Sequence, residues 1–446
     1  MESHIDRQTN DIVESYLEGQ LTRRSFVTGL LGLGLAPGAV RSLAGAAGAL
    51  TPKSLEGNVR FLIGPWSDKE VVHQQHIAKT FQALYPKVSF SFRLYDWGSA
   101  SQQINTSVIE GAHDIYMTTE SSYPDYEAHN TFVDLAPRIN DSSFAKERSK
   151  YLYMDRIKSY GPKILGLPIS WHVEDAMFVN MDMVHKAGFD ETFADHWPTF
   201  LDCVTKMTKP HKTYGFGIGI QIGGYGEWYQ RLRAAGGSYL TPDLKRVNVN
   251  HPEVVQATQQ FADLFKKGIA PPLGTYTYDN APAAFAAGKM AIYSSDLATT
   301  TVLPKHVPFN WKLLPYPPGP VRRVNFNDLS LYMVNPKSSN QDLMWEVVKW
   351  WTAGSGDGYW AGNSGTYPAR TDATHFGYSK YAAPQLGEAF ASFKKYAVGL
   401  ENFPQWANVE NQAEAEIQNC YAGKQSAQQA VQNVAKIVHQ QTGAKM

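Results

Sequence analysis

Cysteine is almost absent: Cys203 and Cys420 are the two in 446 residues. Two thiols build no disulfide framework, and the lack of a Cys-x-x-Cys pair excludes a dithiol redox role. Both sit at apolar positions of helix-like segments, which favours buried thiols over a bridge. Excess charge is absent too, with 41 Lys and Arg against 41 Asp and Glu. That balance argues against nucleic acid or an anionic membrane surface as the main partner. No apolar run reaches the about 20 residues of a membrane-spanning helix, because charge, Gly or Pro interrupts each one. Catalytic and nucleotide signatures are missing as well. There is no Gly-x-x-x-x-Gly-Lys-Ser/Thr, no Gly-x-Ser-x-Gly and no His-Glu-x-x-His. Gly215-Phe216-Gly217-Ile218-Gly219 alternates glycines without dinucleotide spacing, and Ser143-Phe144-Ala145-Lys146 matches Ser-x-x-Lys without its partner motifs. His73 and His76 are three apart on a helix, but no acid or thiol follows at ligand spacing, so a solvated face is favoured over a metal. No catalytic residue, metal or cofactor is expected.

What is present begins with Arg23-Arg24-Ser25-Phe26-Val27 and a short, glycine-diluted apolar run to Leu35. This reads as a twin-arginine secretory signal, and the small residues Ala44–Ala49 offer cleavage after Ala46 or Ala49. The alternative is a buried helix that happens to follow two arginines. No cysteine near the end of the run can accept a lipid anchor. The expectation is a soluble, exported periplasmic protein that meets the twin-arginine translocase, with residues 1–49 outside the fold.

The remaining chain is long enough for two or more domains. Val59–Gly64 reads as a strand, residues 69–85 as an amphipathic helix on Ile77, Phe81 and Leu84, and Val88, Phe90, Phe92 and Leu94 alternate as a half-buried strand. Asp114–Met117 follows as a third strand. Strand, helix, strand at this spacing predicts a mostly parallel sheet. Ala176–Asn180, Met290–Tyr293 and Leu329–Val334 are further strands. Trp197-Pro198 opens a helix, and Asn250 to Glu253 resembles a capping box for the next, which Gly268 stops. Two helices close the chain, the second capped by Ser426 and Gln429.

Several blocks in order carry a family likeness. They are Gly166-Leu167-Pro168, Phe178-Val179-Asn180, Gly188-Phe189-Asp190, Trp197-Pro198-Thr199-Phe200, Phe285-Ala286-Ala287-Gly288-Lys289-Met290-Ala291 and Gly365-Thr366-Tyr367-Pro368-Ala369-Arg370. Together they resemble the family 1 extracellular solute-binding proteins of ABC importers, the maltose-binding-protein type. Phe178, His196 and Thr199 depart from the family's usual Tyr, Thr and Glu. The resemblance implies an α/β, two-lobe periplasmic-binding-protein fold of type II-like topology, each lobe a mostly parallel sheet flanked by helices, with hinge crossovers. Residues 55–168 and 328–372 would form the N-terminal lobe, and 169–327 and 373–446 the C-terminal lobe. It also implies a sugar, polyol or oligosaccharide held between the lobes, delivery by a monomer to inner-membrane ABC permease subunits, and ATP hydrolysis on a separate chain.

Ligands of α/β sheets bind beyond the carboxyl ends of strands. That rule selects Trp66, Asp68, Trp97 and Glu120 after the first three strands, Trp171 and His172 at the first crossover, and Tyr225 and Trp228 in a glycine-rich loop. Asp296 follows the Met290 strand, Asn327 and Asp328 lie at the second crossover, and Arg370 near the third. Indole and phenol rings pack on the C–H face of a sugar while carboxylates and amides bond its hydroxyls. Aromatic content of 13%, with 11 Trp and 24 Tyr, can furnish such a site. For each Trp the competing account is core packing, and for Arg370 a structural ion pair across the hinge. Two other functions fit the residues. A polyamine or other organic cation can be caged by Trp66, Asp68, Trp171, Glu120 and Asp296, and a secreted carbohydrate-active enzyme needs only a carboxylate pair across a cleft.

Overall fold

In a computed structural model, the described residues are 8, 9, 12, 15, 23–33, 55–219, 226–304 and 306–446. Eleven strands lie among them: β1 (Gly57–Ile63), β2 (Val88–Leu94), β3 (Ile115–Thr119), β4 (Gly166–Val173), β5 (Ala176–Asn180), β6 (Gly217–Ile218), β7 (Ile292–Ser295), β8 (Trp311–Leu314), β9 (Asn325–Val334), β10 (Tyr367–Pro368) and β11 (Ala397–Val398). The chain divides into two compact units. The first runs to Trp171 and resumes over Leu329–Ala382; the second comprises His172–Asp328 and Ala383–Met446. Chain therefore passes between units at three places, after Trp171, Asp328 and Ala382. The third lies ten residues beyond the boundary read from sequence at 372, since Ala373–Phe376 and Tyr378–Tyr381 pack on helix Gly354–Ser364. A Cβ on Gly358 would stand 2.6 Å from the Ala373 carbonyl, and Tyr378 Oη donates to the Thr366 carbonyl at 2.9 Å.

The sheet of the first unit has the order β10-β4-β9-β3-β1-β2. β1 pairs parallel with β2 and β3, as strand-helix-strand spacing requires. β9 and β10 enter from distant sequence and pair antiparallel, with β3 and β4 respectively. Phe61 centres the core, its ring 5.1 Å from Phe92 and 5.1 Å from Trp351. β2 is an edge strand, so Val88 is buried while Leu94 is exposed.

The second unit carries a sheet of order β6-β7-β5-β8, and β11 pairs with the start of β9. β5 meets both β7 and β8 antiparallel, while β6 and β7 run parallel. The expectation of a mostly parallel sheet in each lobe is therefore corrected to mixed sheets. It rested on one βαβ stretch and on the family resemblance, and it does not extend to strands brought back from far along the chain. Helix Pro252–Lys266 is preceded by His251 in extended conformation, with no side-chain cap. Pro252 occupies the first turn, so the expected Asn250 capping box is one residue out of register. Ser426 does cap helix Ala427–Thr442, its Oγ accepting from the Gln429 amide at 3.1 Å. Cys203 and Cys420 are free and buried.

Arg23–Gly32 is a helix in which Phe26, Val27 and Leu30 are fully buried; a Cβ on Gly29 would lie 3.6 Å from Phe376. The expected cleavage segment Ala44–Ala49 lies outside the described residues, as does Tyr225. Among the described residues, no helix is long and apolar enough to cross a membrane.

Candidate functional site

In the first unit, Trp66 and Trp97 come together where β1 and β2 end. Their rings meet edge to face at 5.3 Å and 81°. Trp97 also meets Tyr95 edge to face at 5.0 Å, and Trp66 meets Trp360 at 6.0 Å. Trp97 keeps 41% of its surface exposed, and Asp68, two residues after Trp66 in sequence, is exposed. Gly64 makes the arrangement possible, because a Cβ there would fall 2.6 Å from Trp97 Cζ2 and 2.7 Å from Tyr95 Oη. The result is a half-open indole surface suited to the apolar face of a ring.

Three other expected residues of this unit are engaged internally. Glu120 is fully buried, ion-paired to Arg156 and accepting from Tyr160 Oη at 2.8 Å. Trp171 is buried on β4 with its ring 4.6 Å from Tyr367 and 5.9 Å from Tyr153. Arg370 is buried and donates to both Asp372 oxygens, at 2.9 and 2.8 Å, and to Glu147 at 2.9 Å. It also lies 4.7 Å over the Tyr151 ring. Burial alone would raise the Glu147 and Asp372 carboxyls; the Arg370 guanidinium, together with Lys150, outweighs it and holds both below the usual carboxylate range. Arg370 thus has the structural ion-pair arrangement, inside one unit.

In the second unit, polar groups converge from three strands. β4 ends in His172 and Val173, followed by Glu174 and Asp175; β7 leads to Asp296; β9 begins with Asn325 to Asp328. His172, Glu174, Asp296, Asn327 and Asp328 are all buried. His172 Nε2 stands 2.5 Å from Glu174 Oε1. Burial depresses the imidazole, but the charges of Glu174, Asp328 and Asp296 outweigh it and lift its pKa above the ordinary value. Asp296 caps the turn Leu297–Thr301 by accepting from the Thr299 amide at 3.1 Å. Its pKa is pushed up to about 7, by burial first and then by Glu174, against the pull of His172. Asp175 is raised to about 6 by burial, with Arg231 opposing.

Glu174 was not singled out from sequence; it lies in the bend just after β4, two residues beyond His172. Its backbone stands against Gly226. That residue has φ +87, and a Cβ there would lie 3.0 Å from Glu174 Cβ and 3.2 Å from its carbonyl oxygen, so glycine lets the helix Glu227–Ala234 start against the Glu174 backbone. Trp228, on that helix, is fully buried and donates Nε1–H to Thr258 Oγ1 at 3.1 Å. It packs inside the unit and does not join the polar cluster.

His172, Glu174 and Asp328 offer ligand atoms that all lie within 4.8 Å of one another. A nitrogen and two carboxylates suit a divalent transition ion. The same groups also suit a polyhydroxylated molecule, whose O–H groups donate to carboxylates and accept from a protonated imidazole.

Residues 76–384 match the family model described as bacterial extracellular solute-binding protein. No curated protein sequence matches significantly. Among solved structures, an ABC substrate-binding protein from Listeria monocytogenes in complex with cycloalternan is 17% identical with a TM-score of 0.77, over 88% of this chain and 100% of that one. Maltose-bound MalE3 from T. maritima is 19% identical, TM-score 0.74, over 85% and 98%. A solute-binding protein from Agrobacterium radiobacter K84 in complex with ribitol is 16% identical, TM-score 0.71, over 87% and 100%. At these identities the likeness shows the fold.

Proposed function

Because the chain belongs to the bacterial extracellular solute-binding protein family, we propose that its solute is a neutral sugar, polyol or oligosaccharide, which it carries to an ABC permease of the inner membrane. The observation that carries this reading is the pairing of chemistries within one chain. The first unit presents an indole surface at Trp66 and Trp97, and the second a buried set of hydroxyl-bonding groups at His172, Glu174, Asp296 and Asp328. Support for carbohydrate over other solutes comes from the structural neighbours bound to cycloalternan, maltose and ribitol. We further propose export by the twin-arginine route to the periplasm as a monomer without a lipid anchor, and no enzymatic activity of its own.

The acid excess around His172 favours one second reading, an organic or divalent cation at the same groups. Thermal unfolding in the presence of maltose, ribitol, cyclic glucans, putrescine and zinc separates the two. Binding to the native state raises apparent stability by RT ln(1 + [L]/Kd), about 2.7 kcal/mol at a hundredfold excess over Kd. The sugar reading expects such a gain from at least one carbohydrate. A gain from putrescine or zinc and from no carbohydrate overturns it.

A further inference from the structure

A carboxyl group lies behind the indole surface of the first unit. Glu70 is 1% exposed and begins the helix Glu70–Gln82, four residues after Trp66. Its Oε1 accepts from Trp360 Nε1 at 2.8 Å and from Gln74 Nε2 at 2.7 Å. Gln74 Oε1 in turn accepts from Trp351 Nε1 at 2.7 Å and from Tyr332 Oη at 3.0 Å. This chain of polar groups joins three helices and β9, and ends on Trp360, which is fully buried and meets Trp66 edge to face at 85°.

Stability alone does not call for this design. A buried carboxyl costs desolvation that a leucine or methionine of similar size avoids. What a hydrogen bond adds is direction: it fixes the rotation of the Trp360 ring, which apolar packing leaves softer. An edge-to-face contact depends on that rotation, and Trp66 transmits it to Trp97 through a second edge-to-face contact at 81°. On the far side, Gly64 lets Trp97 seat flush on the backbone. The pair is thus held from behind by Glu70 and Trp360 and from below by Gly64.

We propose that Glu70 is a positioning residue for carbohydrate binding, which without touching the ligand fixes Trp360 and through it the orientation of the Trp66–Trp97 surface. The claim that this orientation serves a sugar rests on the function proposed above; the brace itself does not.

The experiment compares wild type with Glu70→Ala, Glu70→Leu, Glu70→Gln, Trp360→Phe and Trp97→Phe in the full chain. Far-ultraviolet circular dichroism reads the coupled indole pair without any ligand, and the Trp97→Phe difference spectrum isolates its signal. Glu70→Ala is expected to reproduce that difference, while Glu70→Gln, which keeps the acceptor oxygen, restores the wild-type spectrum; Trp360→Phe, which deletes an indole 6.0 Å from Trp66, measures the contribution of Trp360 itself. If Glu70→Ala does not fold, Glu70→Leu decides. An unchanged indole couplet in the folded variants overturns the brace. Calorimetry with maltose and ribitol then tests its use: Glu70→Ala is expected to weaken binding roughly tenfold or more, with Glu70→Gln recovering most of the loss. Intact binding with a lost couplet overturns the positioning role. If neither sugar binds wild type while the couplet depends on Glu70, the sugar reading falls and the brace stands.

Discussion

Glu410 gives the sharpest energetic prediction. It lies on helix Trp406–Tyr421, is 2% exposed, and accepts a short hydrogen bond from Tyr239 Oη. Its other oxygen is buried without a partner among the described residues. Burial, with Glu414, Glu227 and Glu401 nearby, pushes its pKa up to about 8 despite the Tyr239 bond. An unfolded Glu titrates near 4.3. Between those values the folded chain holds a proton that the unfolded chain has released, so stability falls as pH rises through this window. The slope is at most about 1.4 kcal/mol per pH unit, which sums to roughly 4 kcal/mol between pH 5 and 8 as an upper limit. Glu410→Gln keeps an acceptor for Tyr239 and removes the ionisation. Its stability relative to wild type should therefore rise by about 2–4 kcal/mol from pH 5 to pH 8. Urea midpoints by circular dichroism at each pH provide the measurement. The comparison is between variants because Glu70, raised to about 7 chiefly by burial, and Asp296 and Asp175 titrate in the same range. Parallel profiles for the two proteins would refute the argument.

Three further outcomes follow from the geometry. Gly226→Ala forces a side chain at φ +87 against Glu174; it should cost about 1–3 kcal/mol in denaturant unfolding and weaken solute binding by displacing that carboxylate. Arg370→Ala leaves Glu147 and Asp372 without their guanidinium and should cost about 3–5 kcal/mol at neutral pH. That loss should shrink as acid protonates the two carboxylates, whose pKa values the arginine holds down. Trp97→Ala and Trp228→Phe should separate surface from core. The first, partly exposed but packed on Trp66 and Tyr95, should cost about 1–3 kcal/mol and reduce sugar affinity. The second removes the buried bond to Thr258 and should cost about 1–3 kcal/mol.

Much of the architecture was legible because periodicity and punctuation are local. The alternation of Val88, Phe90, Phe92 and Leu94 marks β2, and Trp197-Pro198 opens the helix Trp197–Met207. Strand direction was not legible, because β9 meets β3 through contacts that no local pattern encodes. The strand-end rule selected Trp66, Trp97, His172, Asp296 and Asp328, which lie in the indole cluster of the first unit and the polar cluster of the second. It selected Trp171, Glu120, Trp228 and Arg370 equally, and these are held by Tyr367, Arg156, Thr258 and Asp372. Position after a strand says nothing of such internal partners, which distinguish a packed indole from an open one. Glu174 escaped notice for the complementary reason: its environment depends on Gly226, some fifty residues away along the chain.

The central claim is that the solute is a hydroxyl-rich neutral molecule. Native mass spectrometry of the exported protein, incubated with a panel of sugars, polyols, polyamines and divalent ions, tests it most directly. A one-to-one adduct with the mass of a sugar or polyol, weakened in both Trp97→Ala and Glu174→Gln, is the predicted result. An adduct formed with an amine or a metal ion, and with no carbohydrate in the panel, would contradict it.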